Sequence, residues 1–432
     1  MAGEARLDRI GVLRVRLRFH AGLHMVTTDR DLRTGRSVWE GRHADRIPHG
    51  PLARNLQTDV VVIGAGITGA MIADALADAK LRVIVLDRRD DPVKGSTVAS
   101  TALVQYEVDT PLTMLKGRIG ADRAVRAWRR SRLAVESIAA RLGELKVPDV
   151  VRRDSLYLAG DALDAEGLAR EGAAREDAGI VTRFLTRKAL KERFGIARQA
   201  ALLGYGNLAI DPRKTALALL AAALRNGAKV FAPVTVEDVD CHARGATIHS
   251  NNGRRIDCSY VVFATGYEQP DSVPMRGHKI ISTFAIATVP QKRKLWPEQC
   301  LIWEASEPYL YLRTTPEGRV ICGGEDEEFS DENKRDAMLA RKTQTLRGKL
   351  AKMFPELSTK IDFAWTGSFG QSSTGLPRIG AIPGMKHCFA ALGYGGNGIT
   401  YSRISAEIIT GALTGRRDVD ADLYDFEANL KK

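Results

Sequence analysis

The stretch that decides the fold is residues 59–69, Asp59-Val60-Val61-Val62-Ile63-Gly64-Ala65-Gly66-Ile67-Thr68-Gly69. Its apolar, β-branched first half is typical of a buried parallel strand. A Gly-x-Gly-x-x-Gly turn follows, then a helical pattern over residues 70–77, and a second apolar run, residues 82–86, that ends at Asp87. Strand, glycine turn, helix, strand and acid within about 30 residues indicate a dinucleotide-binding unit.

Each part of this fingerprint has a physical role toward a bound pyrophosphate. Gly64 permits the tight turn, Gly66 lets the backbone approach the phosphates, and Gly69 lets the helix pack closely against the strand. The helix N-terminus presents N–H groups and the positive end of its dipole to the phosphates. Asp87 can accept hydrogen bonds from the ribose hydroxyls and would repel a 2′-phosphate.

Two later segments point to FAD as the dinucleotide. Residues 260–266 form an apolar run that ends in Ala264-Thr265-Gly266, and residues 389–400 run through a glycine cluster into an amphipathic helical pattern. A second helix N-terminus suits a flavin, because positive potential near N1 and O2 stabilises the reduced, anionic ring. Segments from the start, middle and end of the chain therefore predict one discontinuous FAD-binding domain.

With these residues in place, the sequence resembles the D-amino-acid oxidase/glycine oxidase (DAO) family of FAD-dependent oxidoreductases over residues 57–425. The resemblance rests on six motifs, at residues 62–69, 95–102, 274–277, 318–324, 375–380 and 393–398. A closer likeness to the γ-glutamylputrescine oxidase-like subgroup rests on Phe363-Ala364-Trp365, Leu376-Pro377 and residues 398–401.

The resemblance implies an α/β fold of the glutathione-reductase-2-like flavoprotein type. In it, a discontinuous Rossmann-type FAD-binding domain carries a substrate domain with a largely antiparallel sheet. We expect the FAD-binding domain to comprise residues 56–117, 200–275 and 362–432, and the substrate domain to comprise residues 118–199 and 276–361. Residues 1–55 are expected to be an N-terminal extension that is partly disordered over residues 1–24 and continues as a polar arm on the surface.

The predicted cofactor contacts come from the fingerprint, from the hydroxyl-rich segment 95–102 and from the two later segments. Small hydroxyl residues can line the ribityl chain and bring backbone N–H groups near flavin N5. The predicted contacts are Gly64, Gly66, Ile67, Thr68, Gly69, Asp87, Arg88, Ser96, Thr97, Ser100, Thr101, Val234, Ala264, Thr265, Gly266, Gly393, Gly395, Gly396, Asn397, Gly398, Ile399 and Thr400. FAD is expected to be non-covalent, because residues 365–373, where covalent relatives carry a cysteine, contain none.

The candidate catalytic residues are Tyr309, Tyr311, Arg313 and Phe369. Strand alternation predicts that the first three share one face, which is either a substrate wall, a packed tyrosine pair or a solvent face. Relatives that oxidise free amino acids carry, shortly after a Trp-x-Gly, an arginine that binds the α-carboxylate. Phe369 stands at that position here, and it offers no bidentate carboxylate partner.

The expected function is oxidation of the C–N bond of an amine or N-substituted amino acid, by hydride transfer to flavin N5 and hydrolysis of the imine. The electron acceptor is expected to be O2 or a quinone/electron-transfer partner. One alternative on the same scaffold is an FAD-dependent 2-hydroxy-acid or glycerol-3-phosphate-type dehydrogenase. A less favoured alternative is a flavin-dependent tRNA-modification domain, which would use the formal charge of +12.

The composition bears on whether the protein binds nucleic acid, a membrane or a metal ion. Lys and Arg are scattered, often beside Asp or Glu, so no nucleic-acid partner is expected despite the positive charge. No apolar run is long enough to cross a membrane. The 5 cysteines form no CxxC and lie at no metal-ligand spacing, so we expect no metal site, reduced thiols and a cytoplasmic enzyme.

Overall fold

The computed structural model describes residues 6–7, 13–14, 26–273, 275 and 277–426. Most of residues 1–24, predicted to be disordered, therefore lies outside the described chain, as do the motif residues Pro274 and Arg276. The short strands β1 (Arg6–Leu7) and β2 (Leu13–Arg14) pair with each other.

The remaining elements alternate between the two halves of the molecule. The helices are α1 (Ile67–Asp78), α2 (Leu112–Ile119), α3 (Ala121–Glu144), α4 (Ala165–Asp177), α5 (Arg187–Phe194), α6 (Pro212–Arg225), α7 (Glu332–Ala337), α8 (Leu339–Met353) and α9 (Gly398–Leu413). The strands are β3 (Leu56–Ile63), β4 (Val83–Leu86), β5 (Leu103–Val104), β6 (Val151–Leu158), β7 (Thr182–Thr186), β8 (Ala200–Ala209), β9 (Lys229–Phe231), β10 (Val236–His242), β11 (Gly245–Ser250), β12 (Arg255–Phe263), β13 (His278–Thr288), β14 (Leu301–Glu304), β15 (Leu310–Thr314), β16 (Val320–Glu327), β17 (Ile361–Ser372), β18 (Arg378–Ala381) and β19 (Cys388–Leu392). No helix in the described ranges is long and apolar enough to span a membrane.

An eight-stranded sheet carries the glycine fingerprint. Its order is β10-β11-β12-β3-β4-β9, with β19 beside the end of β12 and β18 beside β19. The central strands β12, β3, β4 and β9 run parallel, so their carboxyl ends meet at one edge. The apolar run of β3 is fully buried, with Val60, Val61 and Val62 each at 0% exposure. The sheet thus brings the ends of three predicted segments, from the start, middle and end of the chain, to one place.

A nine-stranded sheet forms the second layer of strands. Its order is β17-β13-β16-β15-β14-β6-β8-β5, with β7 also paired to β8, and every pair except β14/β6 is antiparallel. The sequence positions of β8 and β17 place both strands in the predicted FAD-binding domain, but both hydrogen-bond within this sheet. Strand neighbours in a sheet need not be neighbours in sequence, so the pattern could not reveal this exchange. The division into two domains remains a prediction.

The N-terminal arm is more deeply buried than its polar composition predicts. Trp39 is fully buried, Leu32 and Leu52 are nearly so, and Leu32 lines the central cavity described below. The backbone of the arm pairs with β17, through hydrogen bonds from Thr366 N to Thr34 O (2.8 Å) and from Arg36 N to Ala364 O (3.0 Å). The expectation of a surface arm is therefore wrong for Leu32, Trp39 and Leu52, whose apolar side chains pack into the core although their sequence neighbours are polar.

Candidate active site

The glycine turn closes on itself as the fingerprint requires. Gly64 has φ +109°, and a Cβ there would lie 2.4 Å from the carbonyl oxygen of Ala264. A Cβ on Gly69 would lie 1.8 Å from Gly64 O, closer than any non-bonded contact. Gly66, at the N-cap position of α1, has no side chain that could cap the helix, and it lines the cavity, so the N-terminus of α1 faces the space for a ligand.

Asp87 lies at the end of β4, directly beside this turn. Its carboxylate accepts hydrogen bonds from Ala65 N (2.8 Å) and Arg89 N (3.0 Å). Burial raises the pKa of the Asp87 carboxyl. The Arg88 and Arg89 guanidinium groups both bind Glu268, so the acids and bases around the turn are largely paired.

The hydroxyl-rich segment is held by two indoles. Trp39 Nε1 donates to Ser100 O (2.7 Å), and Trp365 Nε1 donates to Ala99 O (2.8 Å). Within the segment, Thr97 Oγ1 accepts from Ile67 N at the start of α1 (2.9 Å). Trp39 belongs to the N-terminal arm and Trp365 to β17. Together with the bond from Ile67 to Thr97, these contacts hold the segment beside the glycine turn.

The glycine cluster before α9 reaches the same cavity. Asn397 donates from Nδ2 to the backbone oxygen of Glu107 (2.5 Å), and Tyr267 donates from its hydroxyl to Gly395 O (3.3 Å). Thr400 donates to Gln105 O (2.8 Å), so its hydroxyl is used within the protein. These bonds fix the N-terminus of α9 so that Gly398 and Ile399 line the cavity.

A single cavity runs from Asp87 past the glycine turn to Tyr309 and Tyr311. The predicted cofactor residues on its lining are Gly64, Gly66, Ile67, Thr68, Asp87, Arg88, Ser96, Thr97, Ser100, Thr101, Val234, Ala264, Thr265, Gly266, Gly395, Gly396, Asn397, Gly398 and Ile399. Gly69, Gly393 and Thr400 lie behind the lining.

The cavity has the properties that a dinucleotide requires. Among the described residues, Ser96 Oγ, Thr265 Oγ1 and Gln105 Nε2 are buried on the lining with no hydrogen-bond partner in the protein, so a polar ligand would satisfy them. Gly66 lines the cavity without a side chain, and an added Cβ there would lie only 3.1 Å from Thr97 Oγ1. No cysteine appears among the described lining residues, which favours a non-covalent ligand.

The far end of the cavity is formed by aromatic residues of the nine-stranded sheet. Tyr309, Tyr311 and Phe369 line it as predicted, together with Trp303 and Thr283. The Tyr309 and Tyr311 rings lie 5.8 Å apart, and the Tyr311 hydroxyl lies 3.3 Å from Thr283 Oγ1. Gly323 makes room for Tyr311, because a Cβ there would lie 2.4 Å from the tyrosine ring.

Arg313 is the predicted site residue that the structure sets apart. It shares the face of Tyr309 and Tyr311, but it lies beyond the end of the cavity and is 1% exposed. Its Nη1 donates to Ala102 O (2.6 Å) and Ile210 O (2.8 Å), and its Nε donates to Thr314 O (3.2 Å). The interpretation of Arg313 as a substrate residue is therefore corrected: it is a buried cation that binds backbone carbonyls behind the hydroxyl-rich segment.

Comparison with known proteins identifies the family. Residues 59–412 match the family model described as DAO, FAD dependent oxidoreductase. The chain belongs to this family. γ-Glutamylputrescine oxidoreductase from Escherichia coli (strain K12) is 24% identical over 399 residues, which cover 89% of each protein.

Solved structures share the fold of this DAO-family chain. L-proline dehydrogenase from P. horikoshii matches with a TM-score of 0.72 at 19% identity, over 86% of this chain and 97% of that one. Glycine oxidase from Geobacillus kaustophilus matches with a TM-score of 0.69 at 19% identity, over 84% and 96%. The predicted family, fold class and enzyme class are confirmed, and FAD is the cofactor.

The sequence reasoning missed several residues of the site. Asp109, Tyr267, Glu268, Thr283 and Trp303 all line the cavity. Asp109 follows the hydroxyl-rich segment closely, and an acid so near a cofactor motif was a usable signal. Trp303 and Thr283 carry no motif and are found only once the sheet order is known. In the described ranges, no group of three or more His, Cys, Asp or Glu side chains is arranged to bind a metal ion.

The position of Asp87 leads to a prediction about cofactor affinity. Asp87→Ala removes a buried carboxylate that orders Ala65 N and, we expect, binds the FAD ribose. The loss of one charge-assisted hydrogen bond, about 1.5–3 kcal/mol, should weaken FAD binding by about one to two decades. Titration of apoprotein with FAD would measure this, with Asp90→Ala, at an exposed acid three residues along, as the control. An Asp87→Ala protein that binds FAD like the parent would exclude this role.

Proposed function

We propose that the enzyme oxidises the C–N bond of an amine or N-substituted amino acid whose carboxylate is distant or absent. The chemistry that bound FAD would supply is a hydride acceptor for the carbon beside the nitrogen, and the imine product would hydrolyse in water. The aromatic end of the cavity would orient the substrate, and O2 or a quinone/electron-transfer partner would reoxidise the cofactor. The DAO family membership supports the class of reaction.

The observation that carries this proposal is the distribution of charge along the cavity. Among the described lining residues, the cationic side chains are Arg88 and Arg89, and both bind Glu268 at the Asp87 end. The aromatic end presents Tyr309, Tyr311 and Phe369 together with the acid Asp109. These described residues offer an anionic carboxylate or phosphate no cationic partner, whereas a neutral or cationic amine meets phenols and an acid.

The same observation weighs against the alternatives. A 2-hydroxy acid needs a carboxylate partner, and glycerol 3-phosphate needs several cationic groups, at the aromatic end. A flavin-dependent tRNA-modification domain needs a cationic path that leads to the flavin. Arg88 and Arg89 do not provide that path, because Glu268 pairs with both of them and Asp29 also pairs with Arg88.

Phe369 gives this proposal a direct test. Ethylamine and D-alanine differ by one carboxylate, as do methylamine and glycine. We expect the amine of each pair to reduce the flavin at least about tenfold faster than the amino acid, because Phe369 offers the carboxylate no guanidinium partner. Anaerobic stopped-flow measurement of flavin bleaching would give the four rates.

Phe369→Arg supplies the matched variant. A guanidinium at this position should bind the carboxylate and raise the rate at which the amino acid reduces the flavin, so that the rate ratio of amine to amino acid falls. The FAD content of the variant is measured to verify that it is folded. Fast reduction of the parent enzyme by D-alanine or glycine would contradict the proposed substrate class.

A further inference from the structure

Asp109 brings a carboxylate to the aromatic end of the cavity. The residue is exposed, and it lines the cavity between the glycine cluster and the tyrosines. One oxygen accepts a hydrogen bond from Gly396 N (2.7 Å), and the absence of side chains on Gly395 and Gly396 makes room for the carboxylate. The walls of the cavity shield the carboxyl group from bulk water, and this desolvation raises the pKa of the Asp109 carboxyl to about 6.

Asp326, in β16, places a second acid behind the tyrosines. The residue is half-buried as a whole, but both of its carboxylate oxygens are shielded from solvent, and neither has a well-formed hydrogen bond in the described protein. The nearest donors are the hydroxyls of Thr283 and Tyr309, which line the cavity. Burial raises the pKa of the Asp326 carboxyl to about 6, and its charge also raises the pKa of Asp109. Two acids thus interact at one end of the cavity with few groups to stabilise their charges.

The part of the chain that the structure describes supplies little positive charge to balance this pair. Lys342 is the cation that acts on Asp326, but it binds Glu325 (3.4 Å) and Glu327 (2.7 Å). Glu307 adds negative charge beside Asp326. The titratable or charged groups that act on the pair are Tyr267, Tyr309, Tyr311, Tyr401, Glu307 and Lys342. A buried acid pair of this kind is stabilised when a ligand brings a cation.

The walls around the pair also suit a cation. Tyr309, Tyr311 and Trp303 line this end, and aromatic faces attract ammonium groups. We propose that Asp109, on the cavity wall, and the charge of Asp326, behind that wall, form an ammonium-binding subsite, so that the substrate carries a positive charge in addition to its reacting nitrogen, as a diamine does. This inference rests on the proposed function, because the subsite occupies the same cavity as the reaction.

The test compares three probes that differ only at the end remote from the reacting amine: 1,4-diaminobutane, 1-aminobutane and 4-aminobutanoate. Each is titrated anaerobically into the FAD-loaded enzyme, and the dissociation constant is taken from the change in the flavin spectrum or from the concentration dependence of bleaching. At pH 7.5 we expect the diamine to bind at least about tenfold more tightly than 1-aminobutane, and 4-aminobutanoate to bind most weakly.

Variants of Asp109 and Asp326 test whether these two acids cause the tighter binding of the diamine. Asp326→Asn and Asp109→Asn should each reduce the advantage of the diamine to about threefold or less, with FAD content measured alongside. Glu328→Gln removes an exposed acid just beyond β16 and should leave the advantage intact. The advantage should also shrink at pH 5, because both carboxyls are protonated below their pKa of about 6.

The outcomes separate this inference from the proposed function. If the diamine binds no more tightly than 1-aminobutane, or if its advantage survives in both Asn variants, the subsite is excluded even where amines still reduce the flavin. If the diamine binds in an Asp-dependent way and neither it nor any other amine reduces the flavin, the subsite stands and the proposed function fails.

Discussion

Gly69→Ala should yield a protein that does not retain FAD. The added methyl would lie 1.8 Å from the carbonyl oxygen of Gly64, so either α1 must move away from β3 or the turn must open. Overpacking in a rigid core usually costs about 1–3 kcal/mol, and a contact this short should exceed that range. Because the same turn positions the N-terminus of α1, the displacement should also remove the pyrophosphate site. The ratio of flavin to protein absorbance after purification measures the result.

Gly117→Ala is the matched control for this substitution. Gly117 lies inside α2, its Cβ direction is open, and alanine favours the helix. That variant should therefore keep its FAD and its melting temperature. A Gly69→Ala protein with full FAD content would show that the close packing of the turn is not needed for cofactor binding.

Arg313→Met should destabilise the protein without acting on substrate selection. The substitution removes the donors to Ala102 O, Ile210 O and Thr314 O, and it leaves these carbonyls in a site that is closed to water. The loss of one charge-assisted bond costs about 1.5–3 kcal/mol, so the total should reach about 3 kcal/mol or more. FAD content should also fall, because Ala102 belongs to the segment that lines the cavity.

Arg293→Met is the matched control, because it makes the same substitution at an exposed arginine. Thermal unfolding of both variants, followed by flavin fluorescence and by circular dichroism, separates cofactor loss from unfolding. The FAD-loaded fraction of Arg313→Met should keep the kcat/KM of the parent. A stable Arg313→Met protein with a reduced kcat/KM would restore Arg313 to the substrate wall.

Arg313 illustrates how far alternation along a strand can predict a site. Period two correctly placed Tyr309, Tyr311 and Arg313 on one face of the sheet. It could not say where the cavity ends, because that depends on β16, β8 and the N-terminal arm, which approach from distant parts of the chain. At about 3.3 Å per residue, Arg313 lies about 7 Å beyond Tyr311, which is enough to pass from the lining into the core.

The fingerprint residues could be predicted because their roles depend on neighbours in sequence and not on distant parts of the chain. The steric demands of Gly64, Gly66 and Gly69 arise within one turn, so local sequence contains the information. Asp109 and Asp326 come together only through sheet order and through the cluster before α9. Asp326 lies two residues after the motif at residues 318–324, but neighbouring acids share the end of this strand, and the sequence does not show which of them lies behind the tyrosines. Asp109 could be suspected from its nearness to the hydroxyl-rich segment, but its pairing with Asp326 could not be predicted before the fold was known.

Anaerobic reduction of the FAD-loaded enzyme by a mixed panel tests the central claim most directly. The panel contains primary and secondary amines, diamines, N-substituted amino acids, 2-hydroxy acids and glycerol 3-phosphate, and flavin bleaching is followed for each. The charge distribution of the cavity predicts that compounds with an amine and no nearby carboxylate bleach the flavin, and that hydroxy acids and glycerol 3-phosphate do not. Rapid bleaching by a hydroxy acid or by glycerol 3-phosphate, with none by any amine, would contradict it.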